Sequence, residues 1–225
     1  MTITLETALP GIEQLPENFA IQLSEFSAIS LAGEEQSKYL QGQVTCDVNV
    51  ISEHSLVHGA HCNAKGKTLS AFRLINRLSA HLLLQPDSSI PTSLAELQKF
   101  GVFAKVDISL AELSFYALVG HQAAEIIKNH FHQVPDSLTP VIQLGSTSIV
   151  YIAGQQERYL LIDEEGSLDS FITQTALPVY SHKVWDLIEI REGFPILSAP
   201  SVGEYVPQML NLQAINGISF TKGCY

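Results

Sequence analysis

The sequence predicts an α+β fold built on antiparallel sheets. Three observations carry that prediction: strand-like runs come in hairpin pairs, helical runs separate the groups of strands, and the pattern begins again near residue 111. Residues 1–17, with Pro10, Gly11 and Pro16, read as an extended lead-in. Residues 19–23 and 28–31 alternate apolar with polar, as half-buried strands do. Gly33-Glu34-Glu35 opens a short helix through Leu40, its acids placed where the helix dipole favours them. Residues 55–62 and 68–75 are strands joined by the turn Asn63-Ala64-Lys65-Gly66-Lys67, and 80–85 adds a third. Over 88–103, Ile90, Leu94, Leu97 and Phe100 fall at helical spacing, with Pro91 suited to a first turn.

The second cycle starts with a strand over 113–119 and a helix over 121–131, whose Ala124, Ile127 and Phe131 share a face. A strand pair follows at 148–153 and 159–162, then a short helix over 166–175. A helix over 184–192 stops at Gly193-Phe194-Pro195. The closing 207–225 is irregular apart from a strand expected at 218–220. These elements divide the chain into a lead-in over 1–17, a first α+β subdomain over 18–110, a second over 111–180, and a returning segment over 181–225.

Composition bounds the function classes. The 225 residues suffice for one or two domains with a proper core. With 46% hydrophobic and 16% charged residues, the chain is neither disordered nor a coiled coil. Twelve Lys and Arg against 23 Asp and Glu give −11, a charge that repels phosphate backbones and disfavours strong direct nucleic-acid binding. The N-terminus lacks a basic region followed by an apolar run, and the longest uncharged stretch, 138–156, is interrupted by Pro140, Gly145 and Gly154. Three cysteines without a C-x-x-C disfavour a disulfide framework and a structural zinc site, so a cytoplasmic setting with no membrane partner is expected.

Several local patterns bear on chemistry. His58, His61 and Cys62 invite a metal reading, but a strand would point His58 and His61 to opposite faces and no second ligand cluster follows, so no metal is expected. Gly66-Lys67-Thr68 ends like a phosphate loop but lacks the upstream glycine and sits in a hairpin, which excludes a nucleotide P-loop. Lys65 and Lys67 are then either a solvated turn or a receiver for an isolated anionic group. Trp185 is either core or a platform for a flat ligand. Cys224, beside Gly223 and Lys222, is either a reactive thiol favoured by the lysine or a thiol at a frayed end near the Tyr225 carboxylate.

Five segments carry a family resemblance. They are Tyr39-Leu40-Gln41-Gly42-Gln43-Val44-Thr45-Cys46-Asp47-Val48, His61-Cys62-Asn63-Ala64-Lys65-Gly66-Lys67, Gly193-Phe194-Pro195, the stretch from Pro207-Gln208 through Gly217-Ile218-Ser219-Phe220, and Lys222-Gly223-Cys224-Tyr225. Together they resemble the YgfZ/glycine-cleavage T-protein family of folate-binding proteins, whose YgfZ branch consists of tRNA-modifying factors. The last segment begins the family's K-G-C-[YF]-x-G-Q-E motif and stops at its fourth residue, so the family's C-terminal β-barrel is expected to be absent. The resemblance implies two interleaved antiparallel-sheet subdomains around tetrahydrofolate or a derivative, with 181–225 completing the folate site.

By the same resemblance, Phe26 and Trp185 are the aromatic pair around the folate. Lys65 and Lys67 receive its carboxylates, with Arg191 and Lys222 as alternatives, and Cys224 is the functional thiol, flanked by Lys222 and Gly223. Two departures from the family matter. T-protein enzymes carry an aspartate shortly after the turn glycine, whereas Gly66-Lys67-Thr68-Leu69-Ser70-Ala71-Phe72 contains none. The glutamate two residues before the later glycine is replaced by Arg191. The expected function is therefore a tetrahydrofolate-binding accessory protein without turnover of its own, supporting iron–sulfur enzymes that modify tRNA. The alternative is a folate-dependent aminomethyl or one-carbon transferase of the T-protein class.

Overall fold

The computed structural model describes residues 3–6 and 9–223. In chain order its first strands and helices are β1 (Asn18–Gln22), β2 (Phe26–Ala32), α1 (Gln36–Gln41), β3 (Val57–Cys62), β4 (Thr68–Arg77) and β5 (Ala80–Pro86). Next come α2 (Ile90–Gly101), β6 (Asp107–Leu110), β7 (Ser114–Gly120), α3 (Ala123–Phe131), β8 (Val141–Leu144) and β9 (Thr147–Ile152). The series ends with β10 (Arg158–Asp163), α4 (Asp169–Thr175), β11 (Val179–Ser181) and α5 (His182–Glu192). The chain is α+β and divides into two compact units, Met1–Glu25 with Glu112–Gly193 and Phe26–Ala111 with Phe194–Tyr225. Each unit is closed by a segment that returns from far along the sequence. Residues 18–25, grouped by sequence with the first subdomain, lie in the unit that contains β7 to α5.

In the first unit the strand order is β11-β1-β7-β10-β9-β8, antiparallel except for the parallel pair β1–β11. One face, with Ala20, Tyr116, Leu118, Tyr159 and Leu161, is covered by Ala123 and Ile127 of α3 and Phe171 and Ile172 of α4. α3 stops at His132, which takes the left-handed conformation with φ 62° and returns its N–H to the Lys128 carbonyl. Every residue of β10 is buried, including Arg158 at its start. The Arg158 guanidinium reaches Glu189 of α5 at 2.5 Å, and both side chains are essentially inaccessible to water. Its charge also lies 5.1 Å over the Trp185 ring.

In the second unit the order is β3-β4-β5-β2-β6, antiparallel throughout. Its main core joins Ile29, Leu31, Phe72, Leu74 and Leu83 of the sheet to Tyr39 and Leu40 of α1 and to Ile90 and Leu97 of α2. A second cluster forms where Ala60, Cys62 and Ala71 meet Leu197 and Leu212 of the returning segment. Gly59 is required by packing, because a Cβ there would stand 2.7 Å from the Cys46 sulfur and 2.9 Å from the Phe72 ring.

Three strands escape the sequence pattern. β6, β8 and β11 have only three or four residues, too short to display a period of two. Conversely, the strand expected at 218–220 does not form. Ser219 donates one backbone hydrogen bond to the Thr45 carbonyl, and Phe220 is exposed. The lead-in contributes one bridge, Leu5 to Val179, and a 3-10 turn over Ile12–Gln14.

The buried ion pair generates a stability prediction. Glu189→Leu removes the carboxylate that meets the buried Arg158 charge and should cost about 3–5 kcal/mol in urea unfolding. The double variant Arg158→Met/Glu189→Leu should recover most of that loss.

Candidate functional site

Four of the resembling segments meet in the second unit. Between α1 and β3 the chain folds back on itself: Gln41 accepts from the Val48 N–H at 2.7 Å and donates to Asp47 at 3.0 Å. Thr45 fixes this loop to its neighbours. Its hydroxyl accepts from the Ala60 N–H at 2.8 Å and donates to the Gly217 carbonyl at 2.6 Å. Its backbone pairs with Ala60 and with Ser219. The Lys222 ammonium donates to the Gln41 carbonyl and completes the tie.

These bonds frame a cleft of about 380 Å³ lined by Gly42, Gln43, Cys62, Asn63, Ala64, Gly66 and Phe100. Its lip is the hairpin between β3 and β4. The Asn63 side chain accepts from the N–H groups of Lys65 and Lys67, at 2.9 and 3.1 Å, and Gly66 takes φ +70°. The two lysines differ. Lys67 Nζ donates to the Glu204 carbonyl at 2.9 Å, whereas the exposed Lys65 ammonium has no partner among the described residues. Thr68 is clasped on both sides, donating its N–H to Tyr205 O and accepting from the Gly203 N–H.

Behind the hairpin lies a buried, uncharged polar cluster that sequence reasoning missed. His61 Nδ1 is 2.9 Å from Ser93 Oγ, which is 3.4 Å from Ser70 Oγ. All three residues are inaccessible to water. Burial pushes the His61 imidazole down to about 4. His58, on the other face of β3, pairs with the Ile215 carbonyl at 3.1 Å and meets the Phe194 ring edge-on. Among the described residues no group of three His, Cys, Asp or Glu is placed to hold a metal ion.

The thiols and cations here follow their surroundings. Burial pushes the Cys46 thiol up to about 12, against the pull of Lys222. Lys222 itself is lowered by desolvation, partly opposed by Cys46 and Asp47. Gly223 has φ +63°, where a Cβ would meet nothing within 4 Å among the described residues, and Cys224 lies outside them.

The other site residues fall as follows. Phe26, at the start of β2, is buried in the second unit. Trp185 and Arg191 belong to the first unit. Trp185 is 2% exposed beneath Arg158, so a flat ligand would have to displace that guanidinium to stack on this face. Arg191 is engaged by Glu13 at 3.5 Å and by Gln155 at 3.2 Å. The structure thus brings Lys65, Lys67 and Lys222 into one unit with the cleft, and gives Lys65 alone of the three an uncommitted charge.

Two predictions follow from this geometry. Thr45→Val leaves the buried Ala60 N–H without its side-chain acceptor. It should cost about 1–3 kcal/mol and speed hydrogen exchange in residues 217–222. His61 carries its stability contribution fully only above about pH 6.5, where the unfolded histidine is also neutral. That contribution falls as the pH drops towards about 4, by roughly 3 kcal/mol, because only the unfolded state then gains the proton. His61→Gln should flatten this part of the pH–stability curve.

Comparison with known proteins places the chain. No family model matches it. The tRNA-modifying protein YgfZ of Colwellia psychrerythraea is 66% identical over 226 residues, covering all of this chain and 70% of that protein. The proteins of the same name from Hamiltonella defensa and Vibrio vulnificus are 37% and 36% identical. The chain spans 66% of the length of each, so about a third of those relatives has no counterpart here. Among solved structures, aminomethyltransferase T of the glycine cleavage system from Bartonella henselae superposes with a TM-score of 0.63 at 13% identity. That superposition covers 73% of this chain and 47% of the other, and shows a shared fold. Identity of this degree over the whole chain, together with that fold, makes the protein a member of the YgfZ family.

Proposed function

We propose that the protein is a tetrahydrofolate-binding accessory factor in tRNA modification, cytoplasmic and without turnover of its own, which supports iron–sulfur enzymes acting on tRNA. The observation that carries the reading is a cleft lined by two family segments, with a third tied beside its wall through Lys222 and an uncommitted cation, Lys65, on the hairpin at its lip. The name shared by the relatives supports the tRNA half. The fold of aminomethyltransferase T supports the folate half, since the T-protein resemblance implies that cofactor. No described helix is long and apolar enough to cross a membrane.

In this reading Lys65 receives the ligand's glutamate carboxylates, a role for which an ammonium on a flexible stem is suited. Lys67, Arg191 and Lys222 are secondary, each already holding a partner. Phe26 and Trp185 remain the aromatic pair of the proposal, with the Arg158 guanidinium as the group a stacking ligand exchanges with. Cys224 keeps its proposed role as the functional thiol, beside Lys222 and Gly223.

The T-protein fold also favours the second reading, a one-carbon transferase. Against it stands β4, which has no carboxylate along its length and turns Ser70 into the neutral cluster with Ser93 and His61. A transferase needs a proton acceptor near the reacting amine, and a buried neutral serine is a poor one.

Titration with tetrahydrofolate or its 5-formyl form, followed by the fluorescence of Trp185, tests the proposal. The wild type should saturate. Lys65→Ala should weaken binding about tenfold, the equivalent of about 1.4 kcal/mol, and reduce its salt dependence. Binding that is absent at millimolar ligand overturns the folate reading. Folate-dependent methylamine transfer by the purified protein would establish the transferase in its place.

A further inference from the structure

The two units differ sharply in charge. Phe26–Ala111 with Phe194–Tyr225 holds 8 cations and 8 acids and is neutral, whereas Met1–Glu25 with Glu112–Gly193 holds 4 and 15 and carries the entire −11. On the neutral unit, α2 ends in an apolar cluster. Val102 and Phe103 are exposed by 70% and 99%, and Phe100, which also lines the cleft, by 48%. A phenylalanine ring wholly in water, next to two further apolar side chains, is unusual for a solvated surface and marks an interaction site. Both flanks of the cluster are ion pairs. Lys99 meets Glu96 at 3.4 Å on the helix side, and Lys105 meets Glu34 at 2.9 Å just beyond Phe103.

We infer that this end of α2 is a self-association surface, covered in solution by the same surface of a second copy of the chain. A two-fold contact sets a patch against itself, so the patch must be self-complementary. This one is: its centre is apolar, and its rim carries cations and acids in equal number, free to exchange partners across the axis. The unit's neutrality also lessens, without abolishing, the repulsion between two chains of −11, which is greatest when they approach through the other unit. Other occupants fit less well. An RNA backbone finds both flanking lysines already paired, and a basic protein is drawn to the unit with 15 acids.

Three side chains per copy fall short of the roughly 800 Å² per partner of a standard interface, so the association is a weak one. Salt separates this mechanism from a charge-driven one. Screening weakens the repulsion between two −11 chains but leaves the apolar contact intact, so the dimer tightens as salt rises.

Sedimentation equilibrium on the full chain at about 10 µM to 1 mM, in about 50 and 500 mM NaCl, reads the association. The wild type should form dimers, several-fold tighter at the higher salt. Phe103→Ser, at a fully exposed position that leaves the circular dichroism unchanged, should weaken association at least tenfold. Val102→Asp, which sets like charges across the axis, should do the same. A wild type that stays monomeric at about 1 mM in high salt overturns the inference. Undiminished association of Phe103→Ser, or association that weakens with salt, does so as well.

Discussion

The hydroxyl of Thr45 holds the cleft together. It lies at a point where three distant stretches of chain meet: the loop after α1, the strand β3 and the returning tail. An oxygen that both accepts and donates is needed there, since Ala60 offers an N–H and Gly217 a carbonyl. Serine could supply the same atom, but valine, the same shape without the oxygen, satisfies neither partner. The Lys222 tie to Gln41 lies at the far end of the same loop and depends on the tail that Thr45 positions. The cleft walls at Gly42 and Gln43 are held from both ends of a five-residue span.

The hairpins of both sheets were legible in the sequence because their strands are long and either alternate or run continuously apolar between turn residues. What escaped was short or nonlocal. β6, β8 and β11 add only edge pairing, and three or four residues give no period. The strand expected at 218–220 failed because its apolar residues do not share a buried face: Ile218 packs on the tail cluster while Phe220 points to water. Arg158 and Glu189 are 31 residues apart, and no spacing rule connects a strand residue to a helix residue at that distance.

The candidate site divides along the same line. The motif segments flagged their own importance, and the turn chemistry of Asn63 and Gly66 was readable directly. The unequal fates of Lys65 and Lys67 were not, because they depend on a carbonyl at Glu204, far along the chain. The His61–Ser93–Ser70 cluster was hidden for a related reason. His61 stands out only as a possible metal ligand and the two serines as nothing in particular, and only the packing of α2 on β3 and β4 makes the three neighbours.

The hairpin lip is asymmetric in its freedom. One leg is clasped through Thr68 and Lys67 to the loop at Gly203–Tyr205, while the crown carries a side chain anchored only at its own backbone. Lys65 is thus a charge on a flexible stem whose backbone is tied to the Asn63 side chain. Arresting it costs up to about 2 kcal/mol of rotamer freedom, which a single carboxylate offsets poorly and a chain of carboxylates offsets well, since each offers the stem another place to stop. Under the proposed folate reading, such a stem suits a ligand whose tail carries several carboxylates rather than one.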